Sequence, residues 1–272
     1  MGFTLGKFFT SHGNKVTGYA SRNTQSAIEA AQFTQTEAYD DIGRLIHDSD
    51  VCFLTVPDGR ITDVYRDICR YPIRGKLICH CSGALSSEDA FPGIEQTGAY
   101  GYSVHPLFAV SDRYTAYREL QDVFFTVEGD PEHLEDILDM LKDMGLRTRT
   151  IAGSDKVKYH AAAAMASNLV IALISASVNT LTECGFSQAE GLAALTPLIR
   201  GNAEHVLTDG LAESLTGPVE RGDVTTIRKH LECLDDREVR TLYRLLSKQL
   251  IPIAAAKHPA RSYQSIEDLL ND

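Results

Sequence analysis

Two short apolar runs, Val51–Val56 (VCFLTV) and Lys76–Cys81 (KLICHC), set the tightest limit on what this chain can fold into. Neither alternates apolar with polar residues, so neither suits a strand with one face in water. Each suits a strand covered on both faces. Such cover is normally helical, and helical patterns stand between the strand patterns. Pro57-Asp58-Gly59 ends the first run, and a helical stretch follows to about Arg70. Ser82-Gly83 breaks the second, with Ser86 or Ser87 placed to cap a helix. Further strand patterns occupy Lys15–Ala20, Tyr100–Val104, Val123–Val127 and Arg147–Ile151. Further helices are expected over Thr24–Gln32, capped by Asn23 or Thr24, and over Glu132–Met144. Strand–helix–strand order with short turns specifies an α/β fold with a mostly parallel sheet and helices on its faces.

The pattern changes class near residue 152. Beyond it the spacing predicts helices only: Ser154 to about Cys184, Gln188–Leu207 interrupted by Pro197, Asp223–Leu234, and Arg237–Ala256. The expected organisation is therefore an α/β domain over 1–152 and an all-α domain over 153–272. A chain of 272 residues, 43% apolar and 23% charged, can bury two such cores without disulfides or metals.

Charge and cysteine usage narrow the function classes. The net charge is −11 and no dense Lys/Arg run occurs, which argues against a nucleic-acid partner. Six cysteines are scattered, at 52, 69, 79, 81, 184 and 233. Cys79 and Cys81 have no second Cys/His pair at a zinc spacing, so no metal is expected, and free thiols in a reducing cytoplasm are. No uninterrupted run of 18 apolar residues and no signal-peptide start is found, so no membrane span is expected.

The first residues bear on function. Parallel sheets that bind dinucleotides open with a strand, then G-x-G-x-x-G, then a helix. This chain opens with Met1-Gly2-Phe3-Thr4-Leu5-Gly6-Lys7-Phe8-Phe9. In that register Gly2 falls where the third glycine packs the helix against the sheet. Leu5, Phe8 and Phe9 supply its apolar face. The first strand and the first two glycines are missing, so a start some tens of residues upstream is expected. The residue that meets the adenosine ribose follows the glycine loop by about 20 positions, at the end of the second strand. Here that place is Ala20-Ser21-Arg22-Asn23. No carboxylate stands there to accept from a ribose 2′-hydroxyl. Arg22 and Ser21 suit a 2′-phosphate, so NADP is expected, with NAD as the alternative.

Chemistry-bearing residues cluster at strand ends and on one helix. Thr55-Val56-Pro57 ends a buried strand where a cofactor would pass. Ser82 and Gly83 end the next, placed to hold a nicotinamide amide or a substrate oxygen. In Ser103-Val104-His105-Pro106 the proline holds His105 extended, as a substrate contact or a structural histidine. Lys156…His160…Ser167-Asn168 lies along an alanine-rich helix. At 100° per residue, Lys156, His160 and Ser167 fall within about 40° of one another. Lys156 or His160 could donate a proton to a carbonyl or imine. Ser167 and Asn168 could orient the substrate. The alternative is polar bonding within a tight helix interface. Arg221, in Thr216-Gly217-Pro218-Val219-Glu220-Arg221-Gly222-Asp223, could clamp a carboxylate or reach a second subunit.

Together these pieces resemble bacterial proteins that join a Rossmann-like domain to a DUF2520 domain, relatives of the pyrroline-5-carboxylate reductase and 6-phosphogluconate dehydrogenase groups. The resemblance rests on Gly2 with its helix, Ala20-Ser21-Arg22, Val56-Pro57-Asp58, His80-Cys81-Ser82-Gly83, Ser103 to Pro106, the Lys156–Asn168 helix, and Thr216 to Asp223. It implies an NAD(P)-dependent oxidoreductase that reduces a small carbonyl or imine, with 2-dehydropantoate as one candidate. The long alanine-rich helix also suits a dimer interface, so a homodimer through the helical domain is expected. An imine reductase and a non-catalytic NADP-binding protein are the competing readings.

Overall fold

The computed structural model describes residues 1–271, and the chain divides into two compact units, Met1–Ser167 and Asn168–Asp272. The first holds α1 (Gly2–Ser11), β1 (Gly18–Ala20), α2 (Thr24–Thr34), β2 (Glu37–Tyr39), α3 (Ile42–His47), β3 (Val51–Leu54), α4 (Asp58–Ile68) and β4 (Leu77–His80). Two single-turn helices follow, α5 (Ser87–Ala90) and α6 (Ile94–Thr97). Then come β5 (Tyr100–Pro106), β6 (Phe124–Gly129), α7 (Leu134–Asp143), β7 (Arg147–Thr150) and α8 (Lys156–Ala166).

The strands form a five-stranded sheet, ordered β3-β4-β5-β6-β7, and a separate parallel pair, β1-β2. All pairings are parallel except β5 with β6. The register places Leu54, His80 and Ser103 in one row across β3, β4 and β5, so the carboxyl ends of β3 and β4 finish level while β5 runs on to Pro106.

Both faces of this sheet are covered, as the unbroken apolar runs require. On one face α1 (Leu5, Phe8, Phe9) and α7 (Ile137, Leu138, Leu141) pack on Cys79, Tyr102, Val104, Phe125 and Val127. On the other, α4 (Ile61, Tyr65, Ile68) and Ile46 pack on Leu54, Ile78 and Phe91. Ile78 and Cys79, neighbours on β4, are both fully buried on opposite sides because successive strand residues point to opposite faces. Fully burying a side chain such as Ile61 contributes about 1.5–3 kcal/mol.

The second unit is helical: α9 (Asn168–Glu183), α10 (Gln188–Asp209), α11 (Leu211–Ser214), α12 (Pro218–Arg221), α13 (Val224–Cys233), α14 (Arg237–Lys257) and α15 (Gln264–Asn271). Caps set its helix starts. Ser187 and Glu190 form a reciprocal capping box on α10, while Asp223 and Asp236 cap α13 and α14. Its core joins Val219, Ile227, Leu231, Ile251, Ala254, Tyr263, Ile266 and Leu270.

One expectation is corrected here. The single helix expected from Ser154 to about Cys184 is broken at Ser167, whose backbone (φ −122°, ψ −88°) leaves the helical region. The Ser167 hydroxyl donates to the Ala163 carbonyl, a back-bond that competes with the helix ladder. The angular count that aligned Ser167 with Lys156 therefore does not hold beyond Ala166. Gly153–Glu183 is long and apolar enough to cross a membrane by length and composition, and 6% of its most apolar window is buried. The serines and asparagines that interrupt it do not lower its average enough.

Candidate functional site

The site is built where one face of β5 meets one face of α8. Ser103 and His105 are two apart on a strand and so share a face. Lys156, Tyr159 and His160 are three and four apart on a helix and do the same. Between these faces lies the Ser82-Gly83 turn that leaves β4.

That turn is held from every side. The Ser82 amide donates to His80 Nδ1 at 3.1 Å. The Ser82 hydroxyl donates to Asp58 Oδ2 at 2.6 Å and accepts from the amides of Ala84 and Leu85 at 3.2 and 3.1 Å. The Ser82 carbonyl accepts from Lys156 Nζ at 2.7 Å and from Ser103 Oγ at 3.3 Å. Lys156 Nζ also donates to Ser103 Oγ at 2.5 Å. The described chain has no cis peptide bond, so the Gly83 N–H points away from this lysine. A cation on the carbonyl polarises the same peptide and strengthens that N–H as a donor.

Two imidazoles close over Gly83. A Cβ at this position would stand 2.7 Å from His160 Nδ1 and 2.9 Å from His105 Nε2. The Gly83 position thus admits no side chain while the rings stay in place. His105 Nδ1 is 2.8 Å from the Tyr159 hydroxyl, the rings meeting edge to face.

Burial sets the electrostatics. Lys156 is 1% exposed, and desolvation brings its pKa down to about 8 against the opposing pull of Glu128 and Asp58. Burial, reinforced by the Lys156 and His160 charges, holds His105 at about 4. Burial, with Lys156 again, holds His80 at about 4. Both rings are neutral at pH 7. Glu128 is a buried carboxylate that accepts from the amide and hydroxyl of Ser87 at 2.7 and 2.9 Å.

Of the residues expected from sequence, Ser82, Gly83, His105, Lys156 and His160 meet in this cluster. Thr55, Val56 and Pro57 leave β3 on the same carboxyl edge and lead into Asp58. A Cβ on Gly2 would stand 2.6 Å from Thr55 Oγ1, so α1 approaches this strand end as closely as a glycine allows. Ser21 and Arg22 are exposed just past β1, and the Ser21 hydroxyl accepts from the Asn23 amide at 3.2 Å. Ser167 ends the first unit. Asn168 opens the second, where Arg221 ends α12.

Five members of the cluster carried no assigned role in the sequence: Asp58, His80, Ser103, Glu128 and Tyr159. The readable signals were a carboxylate inside the apolar strand Phe124–Gly129 (FFTVEG), the two-residue spacing of Ser103 and His105, and the three-residue spacing of Lys156 and Tyr159.

The residues present fit a nicotinamide nucleotide at two places: the close approach of Gly2 to Thr55 at the end of β3, and the exposed cation Arg22 after β1. Among the described residues no group of three or more His, Cys, Asp or Glu could hold a metal ion.

Comparison with known proteins agrees with this architecture. Residues 123–250 match the family described as "Domain of unknown function (DUF2520)". Protein TM1727 from Thermotoga maritima has a similar structure, with 28% identity and a TM-score of 0.73 over 93% of this chain and 96% of that one. A Bacteroides fragilis protein described as a candidate NADP oxidoreductase aligns at 19% identity and TM-score 0.72, over 92% of this chain and 93% of that one. An imine reductase from Pseudomonas sp. aligns at 16% identity and TM-score 0.60, over 94% of each. No curated protein matches the sequence.

Proposed function

We propose, from the match of residues 123–250 to DUF2520 and from the mostly parallel sheet whose last two strands that match includes, that this chain is an NAD(P)H-dependent reductase acting on the C=O or C=N bond of a small substrate. The observation that carries this reading is the convergence of His105 Nε2 and His160 Nδ1 on Gly83, just past the carboxyl end of the parallel strand β4. In open parallel sheets that edge is where ligands bind.

When bound, the reduced nicotinamide supplies the hydride. Thr55, Val56, Pro57, Ser82 and Gly83 would line its path, and Arg22 with Ser21 would face a 2′-phosphate, which favours NADPH over NADH. The protein's own groups do the rest. Lys156, Ser103, Asp58 and His80 fix the Ser82-Gly83 peptide. The His160 ring, exposed on α8, gives a proton to the oxygen or nitrogen as hydride reaches carbon. His160 is left neutral and the substrate becomes an alcohol or amine.

A small 2-oxo acid such as 2-dehydropantoate is the proposed substrate. A cyclic imine is the second reading, favoured by the fold shared with imine reductases. The apolar residues that α9 and α10 leave exposed, Ile171 at 70% and Leu207 at 88% among them, support a homodimer through the helical unit. Assay of the protein with NADPH against 2-oxo acids and cyclic imines tests the reading. Consumption of NADPH with one class is expected. Tight binding of NADPH with oxidation by neither class would instead mark a non-catalytic nucleotide-binding protein.

A further inference from the structure

We infer that His80 is a positioning residue of this site: its imidazole, fixed as the neutral Nε2–H tautomer, holds the Ser82 amide through Nδ1 and so sets the turn on which Gly83 stands. The inference rests on the reductase reading for its effect on turnover but not for its geometry.

The direction of the contact fixes the tautomer. The Ser82 amide reaches His80 Nδ1 at 3.1 Å. A backbone N–H can only donate, so Nδ1 offers its lone pair and the ring proton sits on Nε2. Protonating the ring would set one N–H against another. Nε2 is itself buried, with no hydrogen-bond partner among the described residues, and the ring meets Phe91 edge to face. His80 is fully buried, so it touches no substrate and acts through this turn alone.

The place of His80 in the sheet makes the contact matter to the site. His80 and Ser103 stand opposite one another in the β4–β5 register, both fully buried. From that row they take the two backbone groups of Ser82. His80 takes the amide. Ser103 donates to the carbonyl at 3.3 Å, with Lys156 on the same oxygen at 2.7 Å. Gly83 follows at once, and a Cβ on it would stand 2.7 Å from His160 Nδ1 and 2.9 Å from His105 Nε2. A turn with so little clearance passes any release of Ser82 on to both rings.

The surroundings hold the ring neutral. Burial, Lys156 and His105 oppose its protonation. Asp58 and the Ser86 backbone favour it, the latter without a hydrogen bond of full geometry. The first three prevail.

The experiment is NMR of the full-length ¹⁵N-labelled protein without nucleotide, at pH 7 and pH 6. His80→Asn identifies the His80 ring signals by their loss. The unmodified protein should show the Nε2–H pattern at both pH values, and a ¹⁵N–¹⁵N coupling between the Ser82 amide and His80 Nδ1 across their hydrogen bond. A proton on Nδ1, a ring charged at pH 6, or no coupling overturns the inference. Turnover tests the role. Asparagine places an acceptor oxygen near where Nδ1 stands, and leucine places none. On a substrate that the protein turns over, His80→Leu should lower kcat by about tenfold or more, and His80→Asn should keep it within about threefold. Equal activity in the two variants would reduce His80 to a packing residue and overturn its role. Should His80→Leu fail to fold, the spectra and the activity of His80→Asn decide. If no carbonyl or imine is reduced, the reductase reading fails while the tautomer and the coupling are still read.

Discussion

Lys156 Nζ lies 2.7 Å from the carbonyl oxygen of Ser82, in a side chain that is 1% exposed. A lysine so placed is not positioned to touch a substrate. It fixes the peptide on which the two imidazoles rest, and Ser103 completes the arrangement. The sequence allowed Lys156 as a proton donor. The geometry gives it a supporting role, and the proposed proton donor is the exposed His160.

Lys156→Met follows from this. The substitution removes a buried charge together with its hydrogen bonds, two effects that largely offset, so stability should change by less than about 2 kcal/mol. Activity should fall far more, by about 100-fold, because the Ser82-Gly83 peptide is no longer held in one orientation. Urea denaturation and steady-state kinetics on the same preparation check the split. Equal, small losses in both would contradict it.

Gly83→Ala should strike the same site from the other side. Its Cβ would meet His160 Nδ1 at 2.7 Å and His105 Nε2 at 2.9 Å, so at least one ring must move. Overpacking of this kind costs about 1–3 kcal/mol. Part of that cost should be recovered in the double variant with His160→Ala, read as a coupling in a double-mutant cycle of thermal midpoints. Strict additivity would show that the imidazoles do not rest on Gly83.

The fold was legible where burial leaves a pattern. VCFLTV and KLICHC announced a sheet covered on both faces, and the α1 face that covers one of them, Leu5, Phe8 and Phe9, was readable from apolar spacing. β2 and α3 went unread because Glu37 and Ala38 are exposed and no apolar run marks the strand. The reversed direction of β6 left no trace, since a fully covered strand has the same composition either way. The break at Ser167 was hidden by apolar and small residues that continue through it. In the site, the histidines and the lysine stood out because their chemistry is rare. Asp58 and Ser103 did not, because short polar residues at turns and strand ends have many ordinary uses. Sequence indicated that a lysine among alanines needs partners. Only the structure shows that they are a carbonyl and a hydroxyl of its own chain.

Acid should destabilise this protein through its histidines. His80 and His105 are held at about 4 in the fold against an ordinary value of 6.5. Between those pH values the unfolded chain binds more protons than the folded one, so stability falls as pH drops from 6.5 to 4. Each histidine adds up to about 1.4 kcal/mol per pH unit to that slope. Denaturant titrations from pH 7 to 4.5 should show it, and His105→Gln should remove about one proton's share. An unchanged slope in that variant would mean the ring is already protonated in the fold.

Arg22→Asp should weaken NADPH binding by more than about tenfold while leaving NADH within a factor of a few, because only NADPH brings a phosphate to that position. Titration calorimetry with both nucleotides gives the ratio. Equal losses would place the 2′ position elsewhere.

Ile171→Glu should shift the protein from dimer to monomer in light scattering, since α9 exposes that side chain at 70% in the single chain. A monomer before substitution would remove the proposed interface. Partition of the unmodified protein into vesicles would point to the membrane-length apolar stretch Gly153–Glu183 as the segment responsible.

The most direct test of the central claim is hydride tracing. The protein is incubated with NADPH carrying deuterium at nicotinamide C4 and with 2-oxo acids and cyclic imines in turn, and products are weighed by mass spectrometry. The account predicts deuterium on the former carbonyl or imine carbon of one class, and its loss in His160→Ala. Nucleotide binding with no deuterium in any product, or transfer that persists in His160→Ala at the full rate, would contradict it.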